Sequence, residues 1–253
     1  MIMPELVDGC RVKCKLCWNS YRYPPMTEMP LEIVEKVLER HHGDKIEWFN
    51  WGDPLLHKDI YKISEMVRFT NSRISSSLSL MMDEEKFAAV KNFKSIIVSI
   101  SGMTGSVYNI YHRAGLFSLV VSNLHQLIRR ENNIIIRWLG HKYNQHQYAQ
   151  CKQFCEKHDL RFDPILLNAT VEDMMNGIED DLIGDKHSDA GKCRLLKWVP
   201  IGVDGSYLLC CASHNIKTGY TIFDDITPKQ LLQRKLEMPF CIKCRERELW
   251  RRL

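Results

Sequence analysis

No run of apolar residues in this chain approaches the roughly 18 that a membrane span requires, and the first residues lack the basic and apolar stretches of a secretion signal. The expectation is a cytoplasmic protein with no membrane partner. Charge of one sign is also scarce. The net charge is +4, and the terminal cations Arg245, Arg247, Arg251 and Arg252 are interrupted by Glu246 and Glu248, which reads as a solvated helix and gives no nucleic-acid partner. With 45% hydrophobic and 26% charged residues, neither disorder nor a fibre is in play. The 253 residues suit one large α/β domain, or a medium domain with a small appendage.

What the chain has in quantity is cysteine, ten in all. In a reducing compartment these do not form a disulfide framework, so metal or redox chemistry is the leading explanation. Cys10, Cys14 and Cys17 lie on one tight stretch. Three thiolates on such a loop hold three corners of a cubic iron–sulfur cluster, and Arg11, Lys13 and Lys15 among them offset part of the negative charge. A structural zinc or a closed cluster needs four protein ligands. With no fourth Cys nearby, one iron is left open to a small molecule; a zinc knuckle or three unrelated thiols are the plainer alternatives.

The pattern downstream alternates strand and helix. Strands are expected at Ile2 to Val7, Lys45 to Asn50, Ile74 to Leu80, Ser95 to Ser101, Ile134 to Leu139 and Phe162 to Leu166. Helices are expected over 30–42, 58–70, 84–92 (capped by Asp83), 116–131 and 145–158. This order argues for βαβ units and a parallel sheet curved into a partial barrel. At the end of the second strand, Gly52-Asp53-Pro54 sets backbone amides and a carboxylate where parallel α/β proteins bind ligands. Arg137 interrupts an apolar strand and, pointing inward, needs an anionic partner such as a cofactor or substrate carboxylate. Cys151 and Cys155, four apart on one helix face, read as core residues, and His112 as a local hydrogen-bonding group. Residues 168–190 are acidic and polar, a linker or lid.

From residue 191 the character changes. Asp204-Gly205 between two apolar runs signals a hairpin that brings Cys193 and Cys210 to one end, and Cys241-Ile242-Lys243-Cys244 supplies a CxxC. Together these thiols make a closed four-thiolate site suited to zinc or an iron–sulfur cluster. Cys211 is left over, for packing, back-up ligation or hydrogen-atom donation to a substrate radical.

The CxxxCxxC spacing of Cys10, Cys14 and Cys17 resembles the signature of the radical S-adenosylmethionine (radical SAM) superfamily. The resemblance implies that the open iron chelates the amino and carboxylate groups of SAM, and that an external electron donor of flavodoxin or ferredoxin type supplies the electron that cleaves it. The resulting 5′-deoxyadenosyl radical abstracts a substrate hydrogen. The family's aromatic residue before the third Cys is here Leu16, with Trp18 one place after it. Gly52-Asp53-Pro54 is similar to the family's Gly-Glu-Pro turn, which holds the SAM amino group, with Asp53 one methylene shorter than the usual Glu. Ser99 or Ser101, with Arg113, carry over as residues binding SAM carboxylate and ribose, and Arg137 joins them as a cofactor-site cation.

The set Cys193, Cys210, Cys241 and Cys244 resembles a truncated SPASM, or twitch, domain with one auxiliary 4Fe–4S cluster. The arrangement is most similar to the 2-deoxy-scyllo-inosamine dehydrogenase and anaerobic sulfatase-maturase group. The implied fold is a partial (βα)6 TIM-like barrel over 1–167, the linker or lid over 168–190, and a small hairpin-plus-helix domain over 191–253. The implied cofactors are two 4Fe–4S clusters and SAM. With no room for a peptide-recognition domain before Cys10, the favoured function is oxidation of a sugar or cyclitol alcohol. Peptide cross-linking, epimerisation or maturation is the alternative, and a non-enzymatic zinc protein a remote one.

Overall fold

The computed structural model describes residues 1–17, 19–20, 25–166, 195, 198–211, 213 and 216–243. Its centre is a nine-stranded sheet. In chain order its strands are β1 (Ile2–Pro4), β5 (Lys45–Glu47), β6 (Asn71–Ser76), β7 (Ser95–Ile100), β9 (Ile134–Gly140), β10 (Arg161–Leu166), β11 (Val199–Ile201), β12 (Ser206–Leu208) and β13 (Lys217–Thr221), arranged β10-β9-β7-β6-β5-β1-β11-β12-β13. The first six pair in parallel throughout, as the six βα units require. Four short strands, β2 (Val7–Asp8), β3 (Lys13–Cys14), β4 (Thr27–Glu28) and β8 (His112–Arg113), form two small ribbons, β2–β4 and β3–β8.

Helices α1 (Leu31–Arg40), α2 (Ile60–Val67), α3 (Glu84–Asn92), α5 (Phe117–Arg129) and α6 (Tyr148–Lys157) cover the sheet's outer face. β7 and β9 are apolar on that side, whereas β6 buries Ser72 and Ser76 around Ile74. In β7 and β9, Ile96, Val98, Ile100, Ile134, Ile136 and Trp138 enter the main core, each such side chain contributing about 1.5–3 kcal/mol by burial. The alternate residues Ser99, Arg137 and Leu139 therefore share the inner face. Asp83 caps α3 by accepting from the Lys86 N–H at 2.9 Å, as expected. Cys151 and Cys155 are buried core residues of α6.

Three features depart from the expected pattern. β6 starts at Asn71 and ends at Ser76, because Ser76 and Ser77 turn to bond the Asp53 carboxylate and Leu78 takes a positive φ of 55°. A short helix, α4 (Gly105–Tyr111), precedes β8. The C-terminal hairpin does not stand apart: β11 lies parallel to β1, with Met3 opposite Pro200, and extends the barrel's sheet, while β12 and β13 continue it antiparallel. Gly205 makes the β11–β12 turn at φ +78°. Helices α7 (Pro228–Glu237) and α8 (Pro239–Lys243) follow, α7 opened by a Thr227/Gln230 capping box. Among the described residues no helix is long and apolar enough to cross a membrane.

Candidate active site

The Cys loop leaves the C-terminal end of β1 through β2 and returns through β3, whose Cys14 is opposite His112 and Lys13 opposite Arg113 in β8. The Lys15 N–H also donates to the Tyr111 carbonyl at 2.9 Å, so the loop is stitched to the segment following β7. Beside it lies the Gly52 turn. A Cβ on Gly52 would fall 1.7 Å from the Val7 oxygen and 2.8 Å from the Gly9 oxygen, and the Asp53 N–H donates to the Gly9 carbonyl at 3.2 Å. Only glycine permits this approach. The two motifs therefore meet, although 35 residues separate Cys17 from Gly52 (52 − 17).

Asp53 is buried, and its carboxylate accepts from the Leu55 N–H (3.2 Å), the Ser76 hydroxyl (2.8 Å), and the N–H and hydroxyl of Ser77 (both 3.2 Å). It ties the turn to the end of β6, and burial raises its pKa despite these donors. Pro54 begins a 3-10 turn behind it. A second buried acid was not singled out in the sequence. Glu5, at the end of β1, accepts from the N–H groups of Trp51 (2.7 Å), Gly52 (2.8 Å) and Asn50 (3.4 Å), and burial pushes it up to about 7. Its signal was one carboxylate in an otherwise apolar strand run.

The three cysteines form no disulfide and are half-buried. Burial and the neighbouring Asp53 push Cys10 up to about 12 against a weak pull from Lys13; burial, Cys17 and Cys10 push Cys14 well above the thiol range. Thiols so placed ionise together only against a bound cation, which is the chemistry of an iron–thiolate site. Uncommitted buried polar groups adjoin them: both polar atoms of the Asn19 amide, two residues past Cys17, and the hydroxyl of Tyr108, whose ring stacks on His112 at 4.4 Å. These residues fit an iron–sulfur cluster with a polar ligand. Among the described residues no three His, Cys, Asp or Glu side chains converge on a point for a single metal ion, whereas a cubane's thiolates each hold a separate iron.

Leu16 packs with Tyr111 and Leu139, an apolar wall on the inner face of β9. Ser101 is fully buried, donating to the Tyr108 carbonyl at 3.2 Å and bonded to His112 Nδ1 at 2.6 Å. His112 thus makes the local hydrogen bond expected of it, and burial with His141 nearby holds it down to about 3, neutral. Ser99, one register step below on the same face, is partly exposed, and Arg113 is exposed. The anionic partner of Arg137 is Asp163 on β10, at 3.0 and 2.8 Å from its Nε and Nη2. Ser99, Arg137 and Asp163 are consecutive register partners across β7, β9 and β10, two residues below Leu139 and hence on the face that bears the Cys loop.

At the other end, Cys210 follows β12 and is clamped by the buried Ser213, whose hydroxyl accepts from the Cys210 N–H at 3.1 Å and donates to its carbonyl at 3.1 Å. Cys241 is buried on α8, and Cys211 is half-buried. Lys235, on α7, is 1% exposed and donates to the Trp198 carbonyl at 2.9 Å. Burial lowers its ammonium to about 8 while Cys210, Cys211 and Cys241 pull it back up. A buried ammonium at this end of the hairpin fits an anionic metal–thiolate centre. Trp18, Cys193 and Cys244 lie outside the described residues, as do residues 168–190 and the terminal arginines.

The model of the radical SAM superfamily matches residues 5–155. No curated protein sequence matches the chain. Among solved structures, native anSMEcpe with bound AdoMet and Cp18Cys peptide is similar at TM-score 0.63 and 16% identity, covering 96% of this chain and 81% of that one. Streptococcus suis SuiB bound to the precursor peptide SuiA gives 0.69 and 13%, covering 96% of this chain and 65% of SuiB. BtrN in complex with AdoMet and 2-DOIA gives 0.52 and 14%, covering 97% and 87%. At these identities the shared feature is the fold.

Proposed function

Since the chain belongs to the radical SAM superfamily, whose model covers more than half of it, we propose that it is a SAM-cleaving oxidoreductase acting on a hydroxyl-bearing small molecule, with a second, auxiliary cluster at its C-terminal end. The observation that carries this is the seating of the Gly52 turn on the Cys loop, through Gly52 against Val7 and Asp53 against Gly9. When bound, a 4Fe–4S cluster on Cys10, Cys14 and Cys17 together with SAM supplies a 5′-deoxyadenosyl radical, and an auxiliary cluster on Cys193, Cys210, Cys241 and Cys244 supplies an electron acceptor.

The chain's own residues have separable tasks. Cys10, Cys14 and Cys17 hold iron. The Gly52 carbonyl faces the amino group of SAM, since the Asp53 oxygens are engaged by Leu55, Ser76 and Ser77 and act by fixing the turn. Glu5 orients the same turn through three N–H groups. Ser99 takes the cofactor's polar edge in preference to Ser101, whose hydroxyl already bonds His112. Arg113, exposed and opposite Lys13, would meet the carboxylate or ribose, and Leu16, packed with Tyr111 and Leu139, would border the adenine.

The row Ser99, Arg137, Asp163 supports the choice of substrate class. A half-exposed ion pair beside a hydroxyl, at 28% and 30% side-chain exposure, offers both donors and acceptors to a polyol or amino sugar. A peptide is the second reading: β10 ends the sheet, and its outer edge has no partner strand among the described residues, so an extended chain has a place to add. Anaerobic turnover with carbon-deuterated cyclitols or sugars tests the choice. Deuterium appearing in 5′-deoxyadenosine with a ketone product supports the proposal. SAM cleavage that responds only to peptides overturns the small-molecule assignment.

A further inference from the structure

Lys235 looks, in sequence, like an ordinary surface cation in the run Gln233-Arg234-Lys235-Leu236. Its place in the fold is different. It lies four residues after Leu231, on the buried side of α7, and is as inaccessible as the core residues around it. Its one hydrogen bond to a neutral group, the Trp198 carbonyl, holds the ammonium in place without neutralising it. No carboxylate pairs with it among the described residues. Trp198, whose carbonyl takes the ammonium's hydrogen bond, lies just before β11, and Cys210 lies just after its antiparallel partner β12, with Ile201 opposite Tyr207, so the two are at one end of the hairpin. Cys241 is on α8, the helix that follows, and the charges acting on the ammonium from this end are those of Cys210, Cys211 and Cys241. An ammonium buried without a charged partner is disfavoured, and an anionic centre at this end of the hairpin would supply that partner.

We propose that Lys235 is the fixed counter-charge of the C-terminal metal–thiolate centre and sets how readily that centre accepts an electron. The proposal rests on the auxiliary-cluster reading above and assigns within it a positioning residue that is not a ligand. A buried positive charge close to the centre stabilises its reduced form, which carries one more negative charge, relative to its oxidised form. Ser213, clamping Cys210, keeps the sulfur and the ammonium in fixed relation.

The test uses the full chain with Cys10, Cys14 and Cys17 each replaced by Ala, so that any iron belongs to the C-terminal centre. After anaerobic reconstitution, iron is counted and the one-electron reduction by titanium(III) citrate is followed by EPR and absorbance in the Lys235 parent, Lys235→Arg and Lys235→Met. Lys235→Met is expected to shift the reduction equilibrium at least tenfold toward the oxidised form, about 59 mV for one electron, with Lys235→Arg within threefold of the parent. The metal-free Lys235→Met protein is expected to melt at a higher temperature than its parent, since an unpaired buried charge is gone. If Lys235→Met loses its iron while remaining folded and Lys235→Arg keeps it, the counter-charge role is likewise supported. About four irons with an unchanged equilibrium in Lys235→Met overturns the role and leaves the cluster reading intact. A parent that binds zinc or no iron overturns both.

Discussion

The two cysteine sites differ in where their charged neighbours come from: acids and sequence-local cations at one, a lysine from a separate helix at the other. At the N-terminal loop the thiols of Cys10 and Cys14 repel one another and face the buried Asp53, with Glu5 behind the adjoining turn and only a weak pull from Lys13. At the C-terminal end the sulfurs of Cys210, Cys211 and Cys241 share a buried ammonium, Lys235. The N-terminal loop interleaves Arg11, Lys13 and the buried Lys15 with its thiols, and on the proposed assignment a cationic cofactor would add to them as a ligand. A closed four-thiolate site has no such ligand, and its compensating charge has to come from the chain. On the proposed assignment, that difference would separate a centre that binds SAM from one that passes electrons.

Substitutions at the N-terminal site break one side of this comparison and leave the other standing. The largest effect is expected from Gly52→Ala, whose Cβ would collide with the Val7 oxygen and push the turn off the Cys loop. SAM cleavage, measured as 5′-deoxyadenosine formed under dithionite, should fall by about 100-fold or more, since small displacements of a reacting pair have that consequence. Iron at the C-terminal centre should be unchanged. Glu5→Ala comes next. It leaves the N–H groups of Trp51 and Gly52 without their buried acceptor, and urea unfolding should show a loss of about 3 kcal/mol.

A pH-dependent effect concerns His112, which holds Ser101 and backs the ribbon carrying Cys14. Its folded pKa, about 3, lies below the unfolded 6.5, so the folded state refuses the proton. The stability it contributes is present above pH 6.5 and is lost as pH falls from there toward 3. The wild type should therefore lose stability through this window, and His112→Phe, which keeps a ring against Tyr108, should show a shallower slope. Equal slopes in thermal melts across pH would contradict the buried, neutral assignment.

How far these sites were legible in the sequence depends on the range of the interaction. The six parallel strands followed from local apolar alternation, the Asp83 cap from one residue and its neighbours, and the Cys10 loop and Gly52 turn from short motifs. What escaped was set by distant partners. The end of β6 shifted because Asp53 captures Ser76 and Ser77 across the sheet. The choice between Ser99 and Ser101 needed the bond to His112, and the anion for Arg137 proved to be Asp163 on the next strand. Glu5 left a faint signal, one charge in an apolar run, and Lys235 left none; both acquire meaning only from the distant groups beside them, Trp51 and Gly52 for the one and the Trp198 carbonyl for the other.

The central claim, one open and one closed iron centre in the same chain, is tested most directly by counting iron after anaerobic reconstitution. The account predicts about eight irons per chain for the wild type, and about four for either the Cys10/Cys14/Cys17→Ala protein or a Cys210/Cys241→Ala protein, with SAM cleavage surviving only in the latter. About four irons in the wild type, all lost with Cys10, Cys14 and Cys17, would contradict it.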